Sequence, residues 1–82
     1  MFVYAIYNAK NDKIYIGQTD NLALRLKMHN NKTFKTSFTS RFEGEWILVY
    51  SGEVKDRKEA LIREKQLKSY RGRESIRKLL RK

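Results

Sequence analysis

Two helical segments of this chain place ionisable side chains where apolar ones belong. At 100° per residue, a helix over residues 21–30 sets Leu24, Met28, Arg25, His29, Leu22 and Leu26 in one continuous arc. Ala23, Lys27 and Asn30 fall on its other side. Arg25 and His29 therefore lie one turn apart in the middle of the apolar arc. In a later helix Ala60, Leu61 and Leu67 mark the buried stripe, and Glu64, four residues after Ala60 and three before Leu67, shares it. An unpaired ion in a dry interior costs several kcal/mol, comparable with the whole stability of a small domain. Arg25, His29 and Glu64 must then be paired with each other, hold a metal, or face a wet cleft.

Two phenols join them. Phe2–Asn8 and residues 13–18 are rich in β-branched and aromatic side chains, and Ala9-Lys10-Asn11-Asp12 between them is turn chemistry, which predicts a β-hairpin. With Asn8 opposite Lys13 the loop has four residues, so Tyr4 and Tyr15 share one face of the sheet. Gly17, just beyond Tyr15, leaves room for a ligand to approach the backbone. Taken alone, each tyrosine reads as core packing with its hydroxyl at the rim, and a lone histidine as a buried polar residue. Five such groups converging on one place are not explained by packing alone.

The elements that must position them follow from local signals. Asp20 is the expected N-cap of the first helix, and Asn30-Asn31 ends it. Residues 31–45 are polar and irregular, and Trp46–Glu53 reads as a third strand. Asp56 with Glu59 forms a capping-box pattern that opens a helix running through Leu67 towards Tyr70. Gly72 is expected to break it, with a last short helix over residues 73–80. Proline is absent, so turns fall to Gly17, Gly44, Gly52, Gly72 and Asn/Asp pairs. The order β-β-α-β-α-α predicts an α+β fold, a small antiparallel sheet with helices packed against it.

Composition bounds the partners. The chain has 82 residues, enough for one domain with a thin stability margin. Lys and Arg number 19 against 9 Asp and Glu, a formal charge of +10. Residues 1–54 carry 7 basic and 5 acidic side chains, and residues 55–82 carry 12 and 4, so the surplus sits in the last third. Such a balance points to a polyanionic partner, a nucleic acid. Without cysteine there are no disulfides, no Cys-ligated zinc and no thiolate catalysis. No apolar run reaches the ~18 residues of a membrane helix and no signal-peptide pattern opens the chain, so a cytoplasmic protein with no membrane partner is expected.

Val3-Tyr4, then Tyr15-Ile16-Gly17, Arg25 with His29 four residues on, and Glu64 within Glu59-Ala60-Leu61-Ile62-Arg63-Glu64-Lys65 together resemble the GIY-YIG nuclease family, in particular its small stand-alone members. The resemblance runs from Phe2 to about Tyr70. It implies a three-stranded antiparallel sheet flanked by helices and a metal-dependent endonuclease acting on DNA. By that resemblance Glu64 binds a single Mg²⁺ or Mn²⁺, Arg25 holds the scissile phosphate, one or both of Tyr4 and Tyr15 orient or deprotonate the attacking water, and His29 supports the proton transfer. A hard cation keeps several waters, so one carboxylate suffices for it. A phenol of ordinary pKa is a poor base at neutrality, and Arg25, His29 and the metal are expected to lower it. The first tripeptide, Phe2-Val3-Tyr4, lacks the family's glycine, and every Asn lies at or before Asn31, so the family's late asparagine is absent.

Two further surfaces concern the substrate. Phe34, Phe38 and Phe42 interleave with Lys35 and Arg41, a pattern that stacks unpaired bases or else closes the core beneath a loop. Stacking would favour single-stranded or distorted DNA. Lys68, Arg71, Arg73, Arg77, Lys78, Arg81 and Lys82 form the expected phosphate-tracking surface. A domain of this size reads little sequence unaided, so specificity falls to substrate structure or to a protein partner. The alternative is a non-catalytic DNA- or RNA-binding module of the same fold, with Arg25 and Glu64 as a buried ion pair.

Overall fold

The computed structural model describes residues 1–31 and 38–80. Three strands, β1 (Phe2–Asn8), β2 (Lys13–Thr19) and β3 (Trp46–Glu53), form an antiparallel sheet in the order β2-β1-β3. Helices α1 (Leu22–Asn30), α2 (Arg57–Lys68) and α3 (Tyr70–Leu80) complete the β-β-α-β-α-α order expected of an α+β fold, with a short 3₁₀ turn at Phe38–Arg41 before β3.

Each face of the sheet has its own core because β1 alternates while remaining central. Val3 and Ala5 join Ile16, Ala60, Leu67 and Ile76 on the side covered by α2 and α3. Tyr4 and Ile6 join Trp46 on the opposite side, with Tyr15, Leu22, Leu26 and Phe42 packed around them. The hairpin has the predicted register, Asn8 opposite Lys13, and Tyr4 and Tyr15 share the second face. Asn8 fixes the turn: its buried side chain accepts from Asn11 N at 3.1 Å and donates to the Glu43 carbonyl at 3.0 Å. Asp12 takes the positive φ of 52° that closes the loop, a conformation Asp tolerates.

Several helix details differ from the sequence reading. The N-cap of α1 is Asn21, not Asp20: its side chain accepts from Leu24 N at 3.1 Å, while Thr19 Oγ1 accepts from Asn21 N at 3.1 Å. Leu24 and Leu61, assigned to buried faces, are each 53% exposed. Helix α1 instead turns Leu22, Arg25, Leu26 and His29 inward, and α2 turns Ala60, Glu64 and Leu67 inward. Asp56 caps α2 as predicted, accepting from Glu59 N at 3.0 Å, but the Glu59 carboxylate returns to Lys55 N at 3.1 Å rather than to the cap residue.

Gly72 does not break a helix. The break falls at Ser69, and Gly72 lies in the first turn of α3. A Cβ there would overlap the backbone of Gln66 and Leu67, so the missing side chain is what allows α3 to fold back against the end of α2.

Candidate active site

Three rings meet on the α1 side of the sheet. Their centroids lie 6.4 Å apart for Tyr4 and Tyr15, 6.0 Å for Tyr4 and His29, and 5.1 Å for Tyr15 and His29. The hairpin register supplies the two phenols, and the inward side of α1 supplies the imidazole. Gly17, opposite Tyr4, makes this packing possible, because a Cβ there would lie 2.8 Å from Tyr4 Oη and 3.0 Å from the Tyr15 ring. Its space is filled by the two rings rather than left open for a ligand, which corrects the reading of that glycine.

The inner part of the cluster is a hydrogen-bonded chain. Tyr4 Oη lies 2.9 Å from His29 Nε2, and His29 Nδ1 lies 2.8 Å from Thr39 Oγ1. Trp46 Nε1 donates to the Thr39 carbonyl at 3.3 Å, and the Asn30 side chain brackets the Trp46 backbone, donating to its carbonyl at 3.0 Å and accepting from its N–H at 2.7 Å. Tyr4, His29, Thr39 and Trp46 are all buried. Thr39 is the member the sequence reading missed; a threonine in a polar, aperiodic stretch carries no signal of its own. Phe42 packs edge-on to Trp46 with centroids 6.5 Å apart, so it closes the core rather than waiting for a base.

Burial sets the proton chemistry of Tyr4 and His29. Withdrawal from water pushes the Tyr4 phenol well above its ordinary value, the neighbouring Tyr15 and the Glu64 carboxylate add to this, and the Arg25 charge opposes it without prevailing. Burial first and the Arg25 charge second lower His29 to about 4. The imidazole is neutral at pH 7 and lends Tyr4 no positive charge. A neutral ring has one N–H, so when Nδ1–H donates to Thr39 Oγ1, Nε2 accepts from the Tyr4 hydroxyl.

Arg25 and Glu64 complete the set from two helices, and both act electrostatically on the Tyr4 phenol. Glu64 is ion-paired with Lys68, Nζ to Oε2 at 3.2 Å. Among the described residues Tyr15 and Arg25 open onto different cavities. Tyr15 opens onto a groove of about 290 Å³ with Ile14, Ile16, Lys68 and Arg73. Arg25 opens onto a notch of about 200 Å³ with Met1, Gln18, Thr19, Asp20 and Arg57, and Gln18 Oε1 is buried with no hydrogen-bond partner among the described residues. Among the described residues no cluster of three or more His, Cys, Asp or Glu side chains offers a metal cage. Glu64, an inward carboxylate with a side chain 18% exposed, has the chemistry to hold a hard cation that keeps its water and takes further oxygens from a phosphate.

The basic surface divides. Arg73 lines the Tyr15 groove and also a second cavity of about 300 Å³ with Asp12, Lys13, Ile14 and Arg77. Arg77 is tied to Asp12 at 3.3 Å. Arg71 and Lys78 are exposed on a face of α3 about 130° away from Arg73 and Arg77, so the predicted cluster is two surfaces rather than one. Arg41 is exposed. Lys35, Phe34, Arg81, Lys82 and the side chain of Phe38 lie outside the described residues.

A family model described as the GIY-YIG catalytic domain matches residues 1–77. No curated protein and no solved structure matches the chain significantly.

Proposed function

Because this chain belongs to the GIY-YIG family, whose domains are generally nucleases, we propose that it is a divalent-metal-dependent DNA endonuclease. The observation that carries the reading is the packing of Tyr4, Tyr15 and His29 with ring centroids within 6.4 Å, under the charges of both Arg25 and Glu64. A structural ion pair alone accounts for neither the two phenols nor the histidine.

Each group has a role that its environment suits. Glu64 would hold Mg²⁺ or Mn²⁺, which when bound supplies charge stabilisation at the leaving oxygen. Arg25 grips phosphate oxygens by paired hydrogen bonds as negative charge builds there. Tyr15, half-buried and bordering the groove, would orient the attacking water. Tyr4, buried and poorly acidic, is a support: its hydroxyl and His29 hold one another, and Thr39 fixes the far side of the imidazole. The substrate we propose is single-stranded or distorted DNA. A groove lined by Ile14, Ile16, Lys68 and Arg73 offers an extended strand apolar contact and phosphate partners together.

The test is incubation with labelled single-stranded, duplex and branched DNA and with RNA, with and without Mg²⁺ or Mn²⁺, for the wild type and Glu64→Gln. Cleavage that requires the cation and disappears in Glu64→Gln, with binding retained, is the expected result. Binding without cleavage of any substrate would make the protein a binding module instead.

A further inference from the structure

We propose that Lys68 is a positioning residue of this site: its ammonium stands in for the divalent cation at Glu64 in the resting protein and moves to a substrate phosphate when the cation arrives. The inference rests on the metal role proposed for Glu64 and adds a residue to it.

The geometry has three parts. Lys68 Nζ lies 3.2 Å from Glu64 Oε2, one helical turn on, and the two side chains are 51% and 18% exposed. A carboxylate so far withdrawn from water needs a counter-charge, and a lysine four residues C-terminal is the favourable order for supplying one. The ammonium itself is half in water on a flexible stem, so the pair adds little stability and opens readily. Lys68 also lines the same groove as Tyr15 and Arg73. The displaced ammonium therefore already borders the place where a phosphate would lie.

The consequence is a linkage between two ligands. A dication on Glu64 would compete with Lys68 for the same carboxylate and repel it. A phosphate in the groove attracts Lys68 and so frees Glu64. Each ligand then raises the affinity for the other, because each relieves the same contact. In the absence of nucleic acid, Lys68 holds cation affinity down.

The experiment is Mn²⁺ titration of the intact protein without nucleic acid, following free Mn²⁺ by electron paramagnetic resonance. Four proteins are compared: wild type, Glu64→Gln, Lys68→Gln and Lys65→Gln. Lys65 is exposed and adjacent to Glu64, so its neutralisation removes the same charge without touching the contact. Lys68→Gln is expected to bind about fivefold tighter than wild type and Lys65→Gln to stay within about twofold, with binding lost in Glu64→Gln. Glu64-dependent binding that is equal in Lys68→Gln and Lys65→Gln overturns the inference and leaves the metal role standing. A lowered melting temperature in Lys68→Gln with unmoved Mn²⁺ affinity overturns it likewise, assigning the pair a structural role. Absence of Glu64-dependent binding in every protein overturns both readings.

Discussion

Gly17 and Tyr4 face each other across the hairpin so closely that the glycine's missing Cβ would sit 2.8 Å from the tyrosine hydroxyl. The same hydroxyl is the one that meets His29 Nε2. Gly17→Ala is therefore expected to push the phenol off the imidazole and jostle the Tyr15 ring. The stability cost should be about 1–3 kcal/mol, as for other overpacked sites. Cleavage should fall by more than the loss of folded protein explains. Urea melts alongside single-turnover rates check both.

His29 makes the fold acid-sensitive. Its ordinary pKa is near 6.5 and burial in the folded protein lowers it to about 4. Above pH 6.5 it is neutral in both states and contributes nothing. Between pH 6.5 and 4 only the unfolded chain takes the proton, so stability drops through that window, by on the order of 3 kcal/mol in total. Denaturant melts at pH 7 and pH 4.5 should show the loss, and His29→Gln should show a shallower one.

Arg25 is proposed to act through its fork of donors rather than its charge alone. Arg25→Lys keeps the charge and loses the paired geometry, and is expected to reduce single-turnover cleavage about 10²-fold or more. A rate near that of the wild type would place the scissile phosphate elsewhere.

Gly72 tests the packing of α3 on α2. A methyl group there would run into backbone, which cannot swing aside as a side chain can. Gly72→Ala should cost about 3 kcal/mol or more, a large fraction of a small domain's stability. Circular dichroism melts give the number.

The division of the basic surface has a salt signature. Arg73 lines both grooves, whereas Arg71 sits on the other face of α3. Arg73→Gln should lower the slope of log affinity against log salt by about 1, and Arg71→Gln should lower it less. Equal effects would mean that nucleic acid wraps α3 from both sides.

Much of this was legible in the chain because it depends on local periodicity. Strand alternation placed Tyr4 beside Tyr15, and both Arg25 and Glu64 stood out as charges on inward faces. The misreadings have tertiary causes. Asp20 and Asn21 are both good caps, and only the Thr19 hydroxyl decides between them. Leu24 and Leu61 fit an apolar arc, yet the sheet meets each helix on its flank. Gly72 reads as a breaker unless one knows that another backbone touches it. Thr39 becomes visible only once His29 is in place, and no residue spacing reveals that a histidine in an apolar arc will be kept neutral by burial.

The central position of β1 has a bearing on how the molecule is made. Val3, Tyr4, Ala5 and Ile6 are all buried, two toward each core, and β1 is covered at its edges by both β2 and β3. During synthesis the hairpin with β2 closes early, but the second edge of β1 waits until residue 53 has left the ribosome. Joining strands so distant in the chain is expected to be slower than closing the local hairpin. For that interval the nascent hairpin displays an unpaired backbone edge between uncovered apolar faces, so the yield of native protein should be set by how quickly β3 arrives and what else reaches that edge first.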